Sequence, residues 1–389
     1  MILLSILVGF LACFLLAGWL ARQGAVPLPP ASGRLGCIDG LRGYLALGVV
    51  VHHFAVAQGE WLTGQWEDPP PGLLVTLGQG GVILFFMVTG CLFAGKARQD
   101  PRQVEWGRLY LGRLFRLGPM MWFATALLVL LAALASAGPA QWRPAADALA
   151  ILAWLGFLAS PDLFGVEKSW RIVAGVTWTL RFEWAFYLAL PLLGLVLHRG
   201  RRLAPPGLLL GAGLLLSYLL FQAHMAGLLL SGIPGLGRPL ALAPLFLTGL
   251  CVAVLREREE LARLLRGPAA ALAGTAALAA MLFLFPTAYG AAQYLLLTAF
   301  FLPVACGNPY FGLLRQPASI VLGEISYSLY LLHGLVLFTA FHFTALPAAG
   351  WSLLPPLMLL TTLAASLTHR LVERPGIALG RRLAARRVA

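Results

Sequence analysis

Long apolar runs alternate with short polar stretches along most of the chain. The runs lie at about 2–20, 40–57, 73–94, 117–137, 178–197, 205–226, 238–255, 268–285, 290–305, 319–342 and 353–372, each about 16 to 24 residues long. A helix rises 1.5 Å per residue, so about 20 such residues cross a hydrocarbon core about 30 Å thick. Barrel strands would be about 10 residues long and alternate in polarity, and no segments of that kind are visible. The pattern predicts an all-α, polytopic transmembrane helix bundle.

Basic residues between the runs set the orientation, because Lys and Arg concentrate in cytoplasmic loops. The stretch 95–116 carries Lys96, Arg98, Arg102, Arg108, Arg113 and Arg116. The linker 21–38 carries Arg22 and Arg34, and the tail carries Arg381, Arg382, Arg386 and Arg387. The loop 58–72 has Glu60, Glu67 and Asp68 but no Lys or Arg, which suits the outer side. No basic n-region precedes the first run, so an uncleaved helix with its N-terminus outside is expected rather than a secretory signal.

The apolar piece 145–160 is awkward. Counting forward with it as a crossing would put the basic run His198, Arg199, Gly200, Arg201, Arg202 outside. Counting back from the tail puts that run inside. The two counts agree only if 145–160 does not span, so a re-entrant or half-membrane piece is expected there. The expectation is eleven crossings, N-terminus outside and C-terminus inside. Three parts follow: an extra N-terminal helix and linker (1–36), a membrane domain (37–376) and a basic cytoplasmic tail (377–389).

Composition narrows the class. Of 389 residues, 60% are hydrophobic and 11% are charged, against about 25% charged in ordinary soluble domains. That excludes a soluble globular enzyme and a disordered chain. The net charge of +13 would suggest nucleic acid on a soluble domain. Here the positive-inside pattern accounts for most of it, and no nucleic-acid partner is expected. The cysteines (Cys13, Cys37, Cys91, Cys251, Cys306) lack metal or disulfide spacing and read as small buried hydrophobes, so no metal is expected.

Ionisable side chains within membrane segments are costly and mark function. Four clusters stand out. Asp39-Gly40-Leu41-Arg42-Gly43 opens a helix that carries His52-His53. Arg42 and His53 are eleven residues apart, about 16 Å along a helix, a span comparable to the reach of a pantetheine arm. Arg42 also reads as a positive-inside anchor, and His53 as an interfacial histidine. Arg113 and Arg116 share a helical face at i and i+3 and suit bidentate grip of phosphates, or topology alone. Arg108 is a third contributor. Glu183, several residues into its helix, needs a partner; it suits orienting and charging a histidine, or a structural ion pair. Ser326, Tyr330 and His333 form a polar stripe suited to an acceptor pocket or to interhelical hydrogen bonds. Gly78, Gly80, Gly81 and Gly90 read as sites of close helix packing.

In this order the clusters resemble the acyltransferase-3 family of integral membrane acyltransferases. The D-G-L-R-G element and the Arg-x10-His spacing match Arg42 and His53. Phe85-Phe86 before Thr89-Gly90, Arg113 and Arg116 with Pro119, and Trp178, Leu180, Glu183, Phe186 and Tyr187 match further motifs. Ser326, Tyr327, Tyr330 and His333 match another, and Glu373 and Pro375 match a terminal E-x-P. The similarity covers about 37–376. Thr179 and Arg181 stand where the family has serines, Thr89 replaces a serine and Trp184 a second acid. The helix at 2–20 lies outside the family's core of ten.

The resemblance implies O-acylation, usually acetylation, of a carbohydrate or other extracytoplasmic hydroxyl from cytoplasmic acyl-CoA, at a bacterial inner membrane. Arg42, Arg113 and Arg116 would bind the donor. His53 would act as general base or transient acyl carrier, with Glu183 as its acidic partner, and Ser326, Tyr330 and His333 would shape the acceptor site. No hydrolase-like domain is seen, so transfer is expected to fall to the membrane domain itself. The alternative is a secondary transporter or flippase that uses the intramembrane Glu and His for proton coupling. Internal repeats, common in transporters, are not visible. Multipass acyltransferases with an Asn–His pair are a third class; the single asparagine, Asn308, falls in a predicted cytoplasmic loop and argues against it.

Overall fold

A computed structural model describes residues 1–28, 36–203, 206–225 and 237–386. Arg34 and Arg387, both used for the expected topology, lie outside them. The described residues form helices with no β-sheet: α1 (Ile2–Arg22), α2 (Gly36–Thr63), α3 (Leu73–Arg98), α4 (Trp106–Ala135), α5 (Pro144–Leu155), α6 (Trp178–Leu203), α7 (Pro206–Met225), α8 (Gly237–Leu255), α9 (Glu259–Leu265), α10 (Pro268–Leu284), α11 (Ala291–Ala305), α12 (Pro317–Glu324), α13 (Ser326–Phe343), α14 (Leu354–Thr368) and α15 (Arg374–Arg386). Among the described residues seven helices are long and apolar enough to cross a membrane, or eight if the bent pair α9 and α10 is one span. The protein is thus an all-helical membrane bundle, and the expected eleven crossings remain a proposal. Several of the apolar runs fall on shorter helices: α11 has 15 residues, and α12 and α13 are separated by a break at Ile325.

The piece at 145–160 is a twelve-residue helix, α5. At 1.5 Å per residue it is too short to cross a core about 30 Å thick. It leads into an irregular stretch whose Phe157, Phe164, Lys168 and Ala174 adopt left-handed φ. Asp147 holds this region together, accepting hydrogen bonds from the backbone N–H groups of Arg143 (2.7 Å) and Phe164 (2.9 Å). The buried Trp154 donates to the Pro161 carbonyl.

α2 is the central element and is mostly buried, whereas α1 leaves most of its surface outward. The glycines of its first turns explain how it sits. A Cβ on Gly40 would strike the Leu314 carbonyl, and one on Gly43 would strike Leu322 and the Gly323 backbone. α2 therefore runs backbone to backbone with α12 and parallel to the α12–α13 rod, since Gly43 abuts Leu322 and His53 meets His333 further along. Gly78 is packed against the His52 ring and Gly90 against the Phe246 carbonyl, the close approaches expected from the glycine pattern. Asn308 is fully engaged in a loop, donating to the Leu265 and Gly267 carbonyls and accepting from the Tyr310 N–H.

Candidate active site

The cluster residues fall at two levels along α2 and α13. At the lower level, a cavity is lined by Arg42 from α2, Arg113 and Arg116 from α4, Glu183 and Tyr187 from α6, and Ser326, Tyr327 and Tyr330 from α13. α4 starts at Trp106, well before the predicted 117. Arg113 and Arg116 therefore stand on one regular helix and reach the cavity from its interior turns.

Each charge is held differently. The Arg113 guanidinium lies over the rings of Phe93 and Tyr187, 5.2 and 5.9 Å from their centroids, a cation–π arrangement. Arg116 pairs with Glu373, whose side chain is fully buried in the π-helical turn His369–Glu373 between α14 and α15. The other Glu373 oxygen accepts from Ser328 (2.7 Å) and lies 3.3 Å from His369 Nδ1. Arg42 stands 4.0 Å from Asp39, a loose pair. Glu183 accepts a hydrogen bond from Tyr187, one turn on.

A second cavity adjoins the first and shares Phe93 and Arg113 with it. Lys96, Gln103, Glu105 and Arg108 line it, and Arg108 is paired with Glu105 at 3.2 Å.

At the upper level His53 meets His333. His333 Nε2 lies 3.1 Å from His53 Nδ1, with ring centroids 5.0 Å apart and planes inclined by 35°. His333 is fully buried and His53 half-buried. The two levels join at Tyr330, whose ring is 6.0 Å from that of His333 and 5.9 Å from that of Phe85. Its hydroxyl shares a 3.1 Å hydrogen bond with Thr179. Neither histidine lines the cavity. Above them, the short 3-10 turn Ser169–Val173 seats on α13, its backbone so close to Gly334 that a Cβ there would collide with it.

Three differences from the sequence reading follow. Glu183 does not contact His53: Tyr187 occupies the carboxylate, and His333 occupies His53 Nδ1. Ser326 and Tyr330 line the same cavity as the arginines rather than a separate pocket. His333 belongs with His53. Glu373, part of the E-x-P match, turns out to hold Arg116; in the sequence its one signal is the ionisable pair His369 and Glu373 at i and i+4, a spacing that puts both on one helical face. Arg181 points away from the cavity and donates to Ser160. Among the described residues no group of three His, Cys, Asp or Glu has metal-holding geometry.

A family model described as an acyltransferase domain matches residues 35–370. A relative called acyltransferase MdmB, from Streptomyces mycarofaciens, is 29% identical over 173 residues, which cover 42% of this chain and 40% of that protein. The chain thus matches less than half of that relative's length. No solved structure matches the chain significantly.

Proposed function

The chain belongs to the acyltransferase-3 family, and from that membership we propose that it moves an acyl group, acetyl in the first instance, from cytoplasmic acyl-CoA to a hydroxyl of an extracytoplasmic carbohydrate or envelope glycan. The setting is a bacterial inner membrane, with the N-terminus outside and the C-terminus in the cytoplasm. The observation that carries the reading is the arginine cavity, lined by Arg42, Arg113 and Arg116, with the histidine pair just beyond Tyr330.

The cavities supply what an acyl-CoA needs. Phosphates are bound well by guanidiniums, which offer forked N–H pairs and a fixed charge. Arg113 borders both cavities, so the nucleotide would rest in the outer one, near Lys96 and Arg108, and the pantetheine arm in the inner one. The inner cavity's aromatic wall of Phe85, Phe86 and Phe93 suits that arm. Ser326 and Tyr330 present hydroxyls along its path.

In the transfer, His53 takes the proton of the acceptor hydroxyl as general base. The acceptor oxygen bonds to the thioester carbonyl carbon, the C–S bond breaks, and the CoA thiolate takes the proton back from His53. A positioned base of this kind contributes about 10²- to 10⁴-fold in rate. Glu183 sits too far down to touch His53 and instead balances the arginine charge in the cavity.

The test is CoA thiol release from acetyl-CoA by purified protein in lipid nanodiscs, with an envelope glycan extract as acceptor. Release with label transfer to glycan is expected, and a fall of about 100-fold or more in His53→Ala, with expression unchanged. Full activity in His53→Ala, or proton-coupled flux without any CoA release, rejects the reading, the second outcome in favour of a transporter.

A further inference from the structure

We infer that His333 acts as the positioning partner of His53, fixing it in the Nδ1–H tautomer so that its Nε2 is a bare base, through a ladder that runs from the Leu329 carbonyl to His333 to His53. The inference rests on the acyl-transfer reading for its chemical meaning, but its geometry stands apart from it.

A neutral imidazole has one N–H donor and one bare acceptor nitrogen, and the partner of one nitrogen decides the state of the other. Four atoms fix the assignment here. His333 Nδ1 lies 3.3 Å from the Leu329 carbonyl oxygen, one turn back on α13. A carbonyl only accepts, so His333 Nδ1 carries the proton and donates. His333 Nε2 is then bare. It faces His53 Nδ1 at 3.1 Å, so His53 Nδ1 must be the donor. His53 Nδ1 also lies 3.1 Å from the Val49 carbonyl, again one turn back, and that contact asks for the same proton. His53 Nε2 is left bare.

The opposite assignment fails twice. With the proton on His53 Nε2, the lone pair of His53 Nδ1 would face the Val49 carbonyl at 3.1 Å. His333 would have to donate from Nε2, turning its own Nδ1 lone pair onto the Leu329 carbonyl. Two repulsive contacts would replace two hydrogen bonds, in a region where unmade hydrogen bonds are costly. His52 does not compete for the same atoms: its Nδ1 donates to the Leu74 carbonyl at 2.9 Å, and its Nε2 faces the exposed Asp68 at 3.7 Å.

The consequence is a base oriented without a carboxylate. In hydrolytic triads a buried acid holds the histidine tautomer, and losing it lowers the rate by about 10⁴-fold even with the geometry intact. Here a neutral histidine does the orienting. When His53 takes the acceptor's proton on Nε2, its Nδ1–H keeps donating to His333, which stays neutral. The same bare Nε2 is required if His53 briefly carries the acyl group, so the ladder serves either form of the chemistry. The buried position of His333 beside the 3-10 turn over Gly334 keeps its ring fixed.

The experiment uses the full chain in lipid nanodiscs, with ¹⁵N-labelled histidine. The His53 resonances are those lost in His53→Gln. Expected are a protonated Nδ1 and a bare Nε2 on His53; in His333→Phe, where the Val49 carbonyl alone still holds the Nδ1 proton, a share of the Nε2–H form appears, and it is lost again in His333→Gln, whose amide oxygen can accept at the same place. CoA release from acetyl-CoA, with water standing in for the acceptor, reads the chemistry. In His333→Phe, kcat falls by up to about tenfold, the worth of one lost neutral hydrogen bond, while KM for acetyl-CoA is unchanged, and His333→Gln recovers most of the loss. An Nε2–H His53 in the unmodified chain, or an unchanged kcat in His333→Phe, overturns the inference. If His333→Phe does not fold, the tautomer of the unmodified chain and the behaviour of His333→Gln decide. An Nδ1–H His53 in a chain that releases no CoA supports the ladder and rejects the acyl-transfer reading instead.

Discussion

The two ends of the α2–α13 pair solve the same problem, a polar group inside a membrane bundle, in opposite ways. At the Arg42 end the groups are charged and each charge is compensated by a different device: a buried carboxylate for Arg116, aromatic faces for Arg113, a loose acidic neighbour for Arg42. At the His53 end the groups are neutral and are satisfied by carbonyls of their own helices and by each other. The difference teaches how the work is divided. On the proposed function, a site that greets a polyanion can keep fixed charges, because the ligand can take over from their internal partners. A site that must give and take one proton is better kept neutral, since a fixed charge would bias the proton one way.

The largest effect separating the ends is on stability. Glu373 is 1% exposed and holds Arg116 and Ser328 at once. Removing one partner of a buried ion pair costs about 3–5 kcal/mol, because the other charge is left uncompensated. Glu373→Ala should therefore melt far below the unmodified protein, or fail to yield folded protein in detergent. His333→Phe removes only neutral hydrogen bonds, each about 0.5–1.5 kcal/mol net, and should melt much closer to it. Comparable losses from the two variants would break the contrast between a charged and a neutral end.

This contrast also marks what the sequence could tell. The eleven-residue step from Arg42 to His53 was legible because both lie on one helix, where spacing fixes distance. So were the pairing of Arg113 with Arg116 and the shortness of the 145–160 piece. Contacts between helices were not. His53 and His333 are 280 positions apart, and their meeting depends on how α2 and α13 are rotated against each other, which the Gly40 and Gly43 contacts decide. Glu183 was expected to reach His53 because a buried acid needs a partner; it finds one locally in Tyr187, at i+4 on its own helix. The break at Ile325 comes two residues after Gly323, but an isolated glycine inside an apolar run also marks close helix packing, so the 319–342 run read as one helix.

A middle-sized effect concerns donor binding. Arg113 borders both cavities, and a hydrogen bond to a charged partner contributes about 1.5–3 kcal/mol. Arg113→Ala is expected to weaken acetyl-CoA binding by about 10- to 100-fold, measured by calorimetry in nanodiscs, and to flatten its dependence on salt. Arg113→Lys keeps the charge but loses the fork and the flat stacking on Phe93 and Tyr187, so it should recover only part of the loss. His53→Gln, at the neutral end, should leave the affinity unchanged. A His53→Gln loss as large as that of Arg113→Ala would mean the two ends do not divide binding from chemistry.

The smallest expected effect lies where the two ends meet. Thr179 holds the Tyr330 hydroxyl at 3.1 Å, and Tyr330 stands between the arginine cavity and the His333 ring. The Thr179 hydroxyl also donates to the Val176 carbonyl at 3.0 Å, so it can accept from Tyr330 while donating backward. Thr179→Val keeps the shape and removes the acceptor. The lost bond is about 0.5–1.5 kcal/mol, which corresponds to a change of up to about tenfold in kcat for CoA release. Tyr330 keeps a weaker contact with the Val176 carbonyl, 3.4 Å away, which is why the change should stay modest. Thr179→Ser keeps the hydroxyl and should match the unmodified rate. If Thr179→Val instead alters acetyl-CoA affinity and leaves kcat alone, Tyr330 belongs to the charged end, and the boundary between binding and chemistry moves up to the histidines themselves.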